Sequence, residues 1–544
     1  MKKMYSALLT LSTLATALLL AATSLVRAQT TKKFEPRQLR EDFQIARQSL
    51  EEGHSGLYRY TKKAELDRIF DEAEKSLDHP MDFYEFYRVM APTIAAIKCG
   101  HTNVSRPPHV KEESERLPWL PFDVKVLESK AYIFRDYAKG GTLAGKEIQS
   151  INGVPAGHII STMLAAESQD GDVQTSRQRG ISGRFGSNLI TLLGLRAPYE
   201  VMLAGAGNNK LVRVQVTGLR HEELLKMSKA LFPQDQPSKD FADLKFLDDG
   251  QIAYMTYSSF GTNVEEGRAF MKRAFEALQS KGSRALILDV RGNGGGADEL
   301  GKLLFSYLVD TPFKYYDDLI VNNWSFNFFP KYTDDHNDFT IPKGEAELRA
   351  DGRVHALNHP NLGLQQPSKP TFTGPVYILI NGGSFSTTSE FLTEVHFHHR
   401  ATFIGEESAG GYYGNTSGSV VRITLPNTKL GIYIPLVSYY EAVSGNHEAA
   451  RGVIPDFPVK HTITDLEAGV DRDFDLALEL ARRRRLPEQT SPRGMAGVED
   501  DRQVRHLPLS SNMASVHKQP TVNRNNAATF SRFGLSDRIQ FSAL

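Results

Sequence analysis

The stretch VYILINGGSFSTTSEFL, residues 376–392, decides how this chain is read. It opens with five apolar residues, VYILI, in the pattern of a strand covered on both faces. A two-glycine turn follows, and then a hydroxyl-rich run leads into a segment with helical spacing. Ser384, Ser386, Thr387, Thr388 and Ser389 lie where a strand hands over to a helix. Ser and Thr are the residues that cap the unpaired N–H groups of a helix start. A serine there is also placed for nucleophilic attack, because the helix N-terminus favours negative charge. The spacing leaves both roles open. No GxSxG elbow occurs in the chain, which argues against an ordinary α/β-hydrolase.

Outward from this stretch, residues 236–480 alternate strand and helix. QIAYMTYSSF reads as a strand, EEGRAFMKRAFEALQSKG as an amphipathic helix, ALILDV as an apolar strand and ADELGKLLFSYLV as a helix. Apolar strands separated by helices predict a mostly parallel, covered sheet. The run LILDVRGNGGGADE (286–299) carries Gly292, Gly294, Gly295 and Gly296 between a strand and a helix. Glycines let backbone N–H groups turn toward a bound oxygen, so the cluster suits an oxyanion or a phosphate. Gly292, Gly294 and Ala297 fit the loose GxGxxG/A spacing, but the run sits mid-chain rather than opening a nucleotide domain.

A nucleophilic serine needs a base. No lysine lies between Lys369 and Lys429. His396, His398 and His399 fall at the far end of the helix after the serines, and their spacing is poor for a metal. IKCGHTNV (97–104) offers His101 behind a glycine, at the end of a helical segment.

The rest of the chain divides into recognisable stretches. Residues 1–28 have Lys2 and Lys3, an apolar middle and Val26-Arg27-Ala28 at the cut, the pattern of a cleaved secretory signal. No Cys sits at the cut, so a lipid anchor is not expected. An exported chain would place the protein in the periplasm of a Gram-negative cell, with no stable membrane insertion after cleavage. Residues 29–115 read as a helical unit, 116–235 as a smaller β-rich unit, 236–485 as the α/β core and 486–544 as a polar, aperiodic tail. The formal net charge is zero, from 64 basic and 64 acidic side chains, which argues against nucleic-acid binding. The single cysteine, Cys99, rules out an intrachain disulfide and a thiolate metal cage. It is expected to be a buried small side chain rather than a rival nucleophile. No metal or cofactor is expected.

Three segments taken together carry a resemblance. DVRGNGGG (289–296), GGSFSTTSEF (382–391) with GEESAGGYYGN (405–415) behind it, and CGHT (99–102) upstream resemble the tail-specific, or C-terminal processing, protease family. The pattern is most similar to the tricorn-core branch. GKEIQSINGVPAGHII (145–160) resembles the last part of a PDZ-like module. The resemblance implies an α/β, ClpP/crotonase-like core of strand-strand-helix units, with an N-terminal helical domain and a small PDZ-like β-rich unit. It implies a serine peptidase acting on peptides or unfolded proteins. Aligned on Phe385 and Phe391, the family's nucleophile falls on Ser386; a slide of one residue would move it to Thr387. One branch of the family takes its base from a lysine about 25 residues later, where this chain has Gly411. The tricorn-like branch uses a histidine in a GHT motif, which matches His101. Its acidic residue precedes a GVxPD motif, intact here as residues 452–456, and Glu448 is the nearest candidate. The oxyanion donors would be Gly294 or Gly295, with the N–H of Thr387. A non-catalytic ligand binder on the same scaffold and an acyl hydrolase using the same serine are the competing readings.

Overall fold

A computed structural model describes residues 32–137, 141–205, 211–233, 240–334, 339–341 and 344–483. The expected secretory signal (1–28) and the polar tail (486–544) lie outside the described residues.

The apolar runs 252–257, 285–289, 376–380 and 402–405 form the centre of one six-stranded sheet. Its order is 457–458, 402–405, 376–380, 285–289, 252–257, 242–247. All neighbours are parallel except the edge pair 242–247 and 252–257, which is antiparallel. Every residue of Ala285–Asp289 and Val376–Ile380 is buried, as expected for strands covered on both faces. One face packs on helices Val264–Lys281, Asp298–Ser306 and Thr387–Phe397 through Met271, Phe275, Leu300, Leu304, Phe391 and Leu392. The other face meets Ala477 and Ala481 of helix Arg472–Arg483. Arg291 ties that helix to the end of the sheet. Its guanidinium donates to Asp289 Oδ2 (2.7 Å), Asp471 Oδ1 (2.7 Å) and Asp473 Oδ2 (3.0 Å).

A second sheet is antiparallel and centres on the long strand Gly431–Glu441, flanked by Thr416–Thr424 and Tyr316–Val321. Ile423, Ile432, Ile434 and Leu436 of this hairpin complete the core of the N-terminal helices, against Leu39, Phe43 and Leu50. Helix Pro36–Gly53 begins with proline at its first turn, and Phe83–Ala95 begins on Asp82, whose carboxylate accepts the Glu85 N–H at 2.8 Å. The helical front of the chain is therefore built onto the hairpin near residues 416–441.

Residues 122–216 hold a third, antiparallel sheet in the order 122–127, 130–136, 147–151, 199–204, 211–216. Helices Ala156–Ala165, Gln174–Gly183 and Phe185–Thr191 cover one face through Ile159, Met163, Ile181 and Leu189. Among the described residues no helix is long and apolar enough to cross a membrane.

Candidate active site

Parallel strands send their following loops out at the same end of a sheet. Strands 285–289 and 376–380 are neighbours, so the glycine loop and the serine loop emerge side by side. Hydrogen bonds stitch the two loops together. Asn381 Oδ1 accepts from Gly292 N and Gly383 N, both at 2.9 Å. Ser384 Oγ donates to the Val290 carbonyl at 2.9 Å, and Thr387 Oγ1 donates to the Gly296 carbonyl at 2.8 Å. Ser389 Oγ donates to the Ser384 carbonyl and accepts from Gly410 N. These hydroxyls hold the loops in place.

Ser386 is different. It is the N-cap of helix Thr387–Phe397, yet its side chain makes no capping bond. Its backbone sits at φ 58°, ψ −130°, a region that L-residues rarely occupy. This strained turn points Oγ away from the helix and toward His101, whose Nε2 lies 3.1 Å away across 285 residues of sequence. The Phe385 ring stacks on the imidazole, with centroids 4.5 Å apart and planes 23° apart. Gly100 makes that stacking possible, since a Cβ there would stand 2.6 Å from Phe385 Cζ. Burial holds the His101 pKa down at about 4. The ring is thus neutral near pH 7, the form a general base requires.

The glycine cluster lies against the serine. Gly295 has φ +97°, and a Cβ there would be 2.6 Å from Ser386 Cβ and 3.0 Å from Thr387 N. Its own N–H is taken by Asn293 Oδ1 at 2.9 Å. Gly294 is exposed, with open space where a side chain would be. Of the two glycines, Gly295 stands against the first turn of the helix but has its N–H engaged within its own loop. Asn293, fully buried, organises the loop. Its Oδ1 accepts Gly295 N, its backbone carbonyl accepts Phe385 N (3.0 Å) and its Nδ2 donates to the Tyr257 carbonyl (2.9 Å). Sequence reading passes over Asn293, because a polar residue between glycines looks like any turn residue.

Glu448 makes no hydrogen bond to His101 Nδ1. It lies exposed, and its backbone carbonyl accepts Arg451 N at 3.0 Å. The intact 452–456 motif serves the scaffold: Gly452 N donates to Glu407 Oε1, Val453 N to Ser408 Oγ, and Asp456 Oδ2 accepts Phe403 N. Gly411 leaves no room for a lysine, because a side chain there would run into the Tyr60 hydroxyl at 2.1 Å. His396 Nδ1 pairs with Tyr412 OH at 2.8 Å, at the other end of the helix from Ser386. Cys99 is buried, donates to the Thr416 carbonyl at 3.4 Å, and has its thiol pKa pushed up to about 12 by burial. At neutral pH it stays a thiol, which is a poor nucleophile.

Residues 251–459 match the model of peptidase family S41. No curated protein matches the chain. Among solved structures, mature CPAF is 15% identical, with a TM-score of 0.55 over 83% of this chain and 99% of that one. Mature CPAF complexed with lactacystin gives 15% and 0.56, over 82% and 99%. A CPAF mutant gives 15% and 0.57, over 82% and 97%. At this identity the likeness is one of fold.

Proposed function

We propose, from the match of residues 251–459 to peptidase family S41, that this chain is a serine-type peptidase with Ser386 as its nucleophile and His101 as its base. The contact of His101 Nε2 with Ser386 Oγ at 3.1 Å carries this reading. In the mechanism, His101 Nε2 takes the Ser386 hydroxyl proton as Oγ attacks a peptide carbonyl carbon. The N–H groups of Thr387 and Gly294 receive the tetrahedral oxyanion. Collapse expels the amine, which leaves with the proton held on His101. A water, deprotonated by the same imidazole, then hydrolyses the acyl-enzyme and restores the serine.

The substrates on this reading are peptides or unfolded proteins, and the protein works after export, in the periplasm. The signal-like start of the sequence supports the export. On the same reading the antiparallel sheet of residues 122–216 would act as the PDZ-like unit and receive a substrate strand by β-augmentation.

The test uses the purified chain with a fluorophosphonate probe and an unfolded protein substrate. Wild type is labelled and cleaves. Ser386→Ala loses both activities, and His101→Ala loses turnover by roughly 10⁴ or more. Labelling and cleavage that survive in both variants refute the assignment.

A further inference from the structure

A histidine base works when its second nitrogen keeps a proton and has an acceptor for it. In His101, Nε2 faces Ser386, while Nδ1 is buried and has no hydrogen-bond partner. The acceptor should therefore be buried close by, and Glu448 is exposed.

Asp170 meets the description. It is 1% exposed and comes from the loop before helix Gln174–Gly183. Its Oδ1 accepts the N–H of Gly100, the residue next to His101, at 2.7 Å. Its Oδ2 is buried without a partner. A carboxylate oxygen of Asp170, a ring nitrogen of His101 and Cys99 Sγ all lie within 4.8 Å of one another. Two unpartnered buried atoms of complementary kind, Nδ1 and Oδ2, thus belong to side chains that already touch the same corner.

The loop is fixed in that place. Gly171 N donates to the Lys98 carbonyl at 3.0 Å, and Lys98 Nζ reaches Asp172 Oδ1 at 2.6 Å. On the other side, Asp172 N donates to the Ala450 carbonyl at 2.7 Å. A metal reading of the three side chains fails on Cys99, whose buried thiol keeps its proton and already donates to the Thr416 carbonyl.

We infer that Asp170 is the positioning residue for His101: its free carboxylate oxygen accepts the Nδ1 proton as the site closes on a substrate, fixing the tautomer and stabilising the imidazolium. The inference rests on the Ser386–His101 reading above. Catalytic hydrogen bonds of this kind are often long in the empty site and shorten when it is occupied. The balance is simple. The Ser386 proton moves to Nε2, the Nδ1 proton stays on the ring, and Asp170 remains a carboxylate. The other titratable or charged groups facing the pair are His54, Arg59, Tyr60, Cys99 and Glu390. The acid would then come from the β-rich unit, the base from the helical front and the nucleophile from the parallel core.

The experiment measures fluorophosphonate acylation and peptide turnover against pH for Asp170→Asn, Asp170→Glu and Glu448→Gln. Asp170→Asn keeps the shape of the side chain and an acceptor for Gly100 N. It should lower the acylation rate on the order of 10²–10⁴-fold with KM and thermal midpoint unchanged. Burial raises the Asp170 carboxyl to about 6, so the wild-type acid limb should follow loss of that carboxylate, and the limb should move to lower pH in Asp170→Asn, which has none to lose. Asp170→Glu should restore part of the rate, and Glu448→Gln should leave it near wild type. Near-wild-type acylation in Asp170→Asn, or a loss in Glu448→Gln alone, overturns the inference.

Imidazole ¹⁵N resonances give a readout independent of turnover, with His101 identified by the signal lost in His101→Gln. Wild type should carry its proton on Nδ1, and Asp170→Asn should not. A proton on Nε2 in folded wild type overturns the inference even where that variant does not fold. Failure of wild type to acylate at all would instead refute the nucleophile assignment, and this inference with it.

Discussion

Asp42 and Asp170 are both buried carboxylates, 0% and 1% exposed, and the protein treats them in opposite ways. Asp42 sits in helix Pro36–Gly53 and holds the turn between strands Thr416–Thr424 and Gly431–Glu441. Its Oδ1 accepts Asn427 N (3.0 Å) and Asn427 Nδ2 (2.9 Å), and its Oδ2 accepts Thr428 N (2.8 Å) and Thr428 Oγ1 (2.6 Å). Both oxygens are fully used. At Asp170 one oxygen is used and the other is not, and His101 Nδ1 and Gln169 Oε1 nearby are unpartnered as well. An unpaired buried polar atom costs about 1–3 kcal/mol. A fold that satisfies one buried carboxylate and leaves the other short has kept the second region in reserve. The strained backbone of Ser386 belongs to the same region and carries the same meaning.

The sharpest way to break this contrast is to remove the strain. Ser386→Gly deletes the hydroxyl and replaces an L-residue at φ 58°, ψ −130° with the one residue that tolerates it. Turnover should fall by roughly 10⁴ or more. Stability should rise by about 1 kcal/mol, read as a higher denaturant midpoint. Loss of activity together with loss of stability would show that the conformation at 386 carries no strain.

The mirror experiment is Asp42→Ala. It strands the backbone N–H groups of Asn427 and Thr428 and the Thr428 hydroxyl, while Asn427 Nδ2 keeps the Gln38 carbonyl and Glu41, and it should cost about 3 kcal/mol of unfolding free energy. Turnover per folded molecule should stay at the wild-type value, because nothing in that pocket touches the Ser386 loop. A drop in kcat at full folding would mean that the two regions are coupled through the hairpin.

The two regions also differed in how much of them could be read in advance. The parallel core was legible because strands buried on both faces are continuous apolar runs, such as VYILI and ALILD. The serine loop, the glycine loop and the GHT turn were legible because each joins special backbone needs to a short motif. The hairpin of residues 416–441 was not. TSGSVVRIT mixes polar and apolar residues, and Pro435 in GIYIPLVSYYE reads as a break although it pairs with Val420. Asp170 was invisible for a different reason. It lies in AESQDGDVQ, a run that looks like any solvated loop, and only tertiary structure closes the loop over the histidine. Glu448 stands out only by its position in a motif, and position along the chain carries no information about which way a loop faces.

A third buried carboxylate, Glu390, gives the finest test, because it is satisfied yet electrostatically crowded. It sits one turn into the serine helix, with Oε2 accepting Tyr316 OH and Oε1 accepting Asn415 Nδ2, both at 2.7 Å. Burial first, and then the neighbouring Asp298, push its pKa up to about 7. In the unfolded chain it would titrate near 4.5. Between these values the folded state holds a proton that the unfolded state has released. The contribution of Glu390 to stability is therefore fully present below about pH 4.5 and is lost as pH rises through about 7. Glu390→Gln removes this titration, and Asn415 can accept the new amide by turning over, since its own Oδ1 has no partner. Over pH 4.5–7 the stability of wild type minus that of the variant should fall steadily, followed by denaturant midpoints. His101 acts with the opposite sign in both proteins, its pKa lying below the unfolded value, and so cancels from the difference. A flat difference would mean that Glu390 is ionised in the fold throughout, and that its two hydrogen bonds outweigh the burial behind the serine helix.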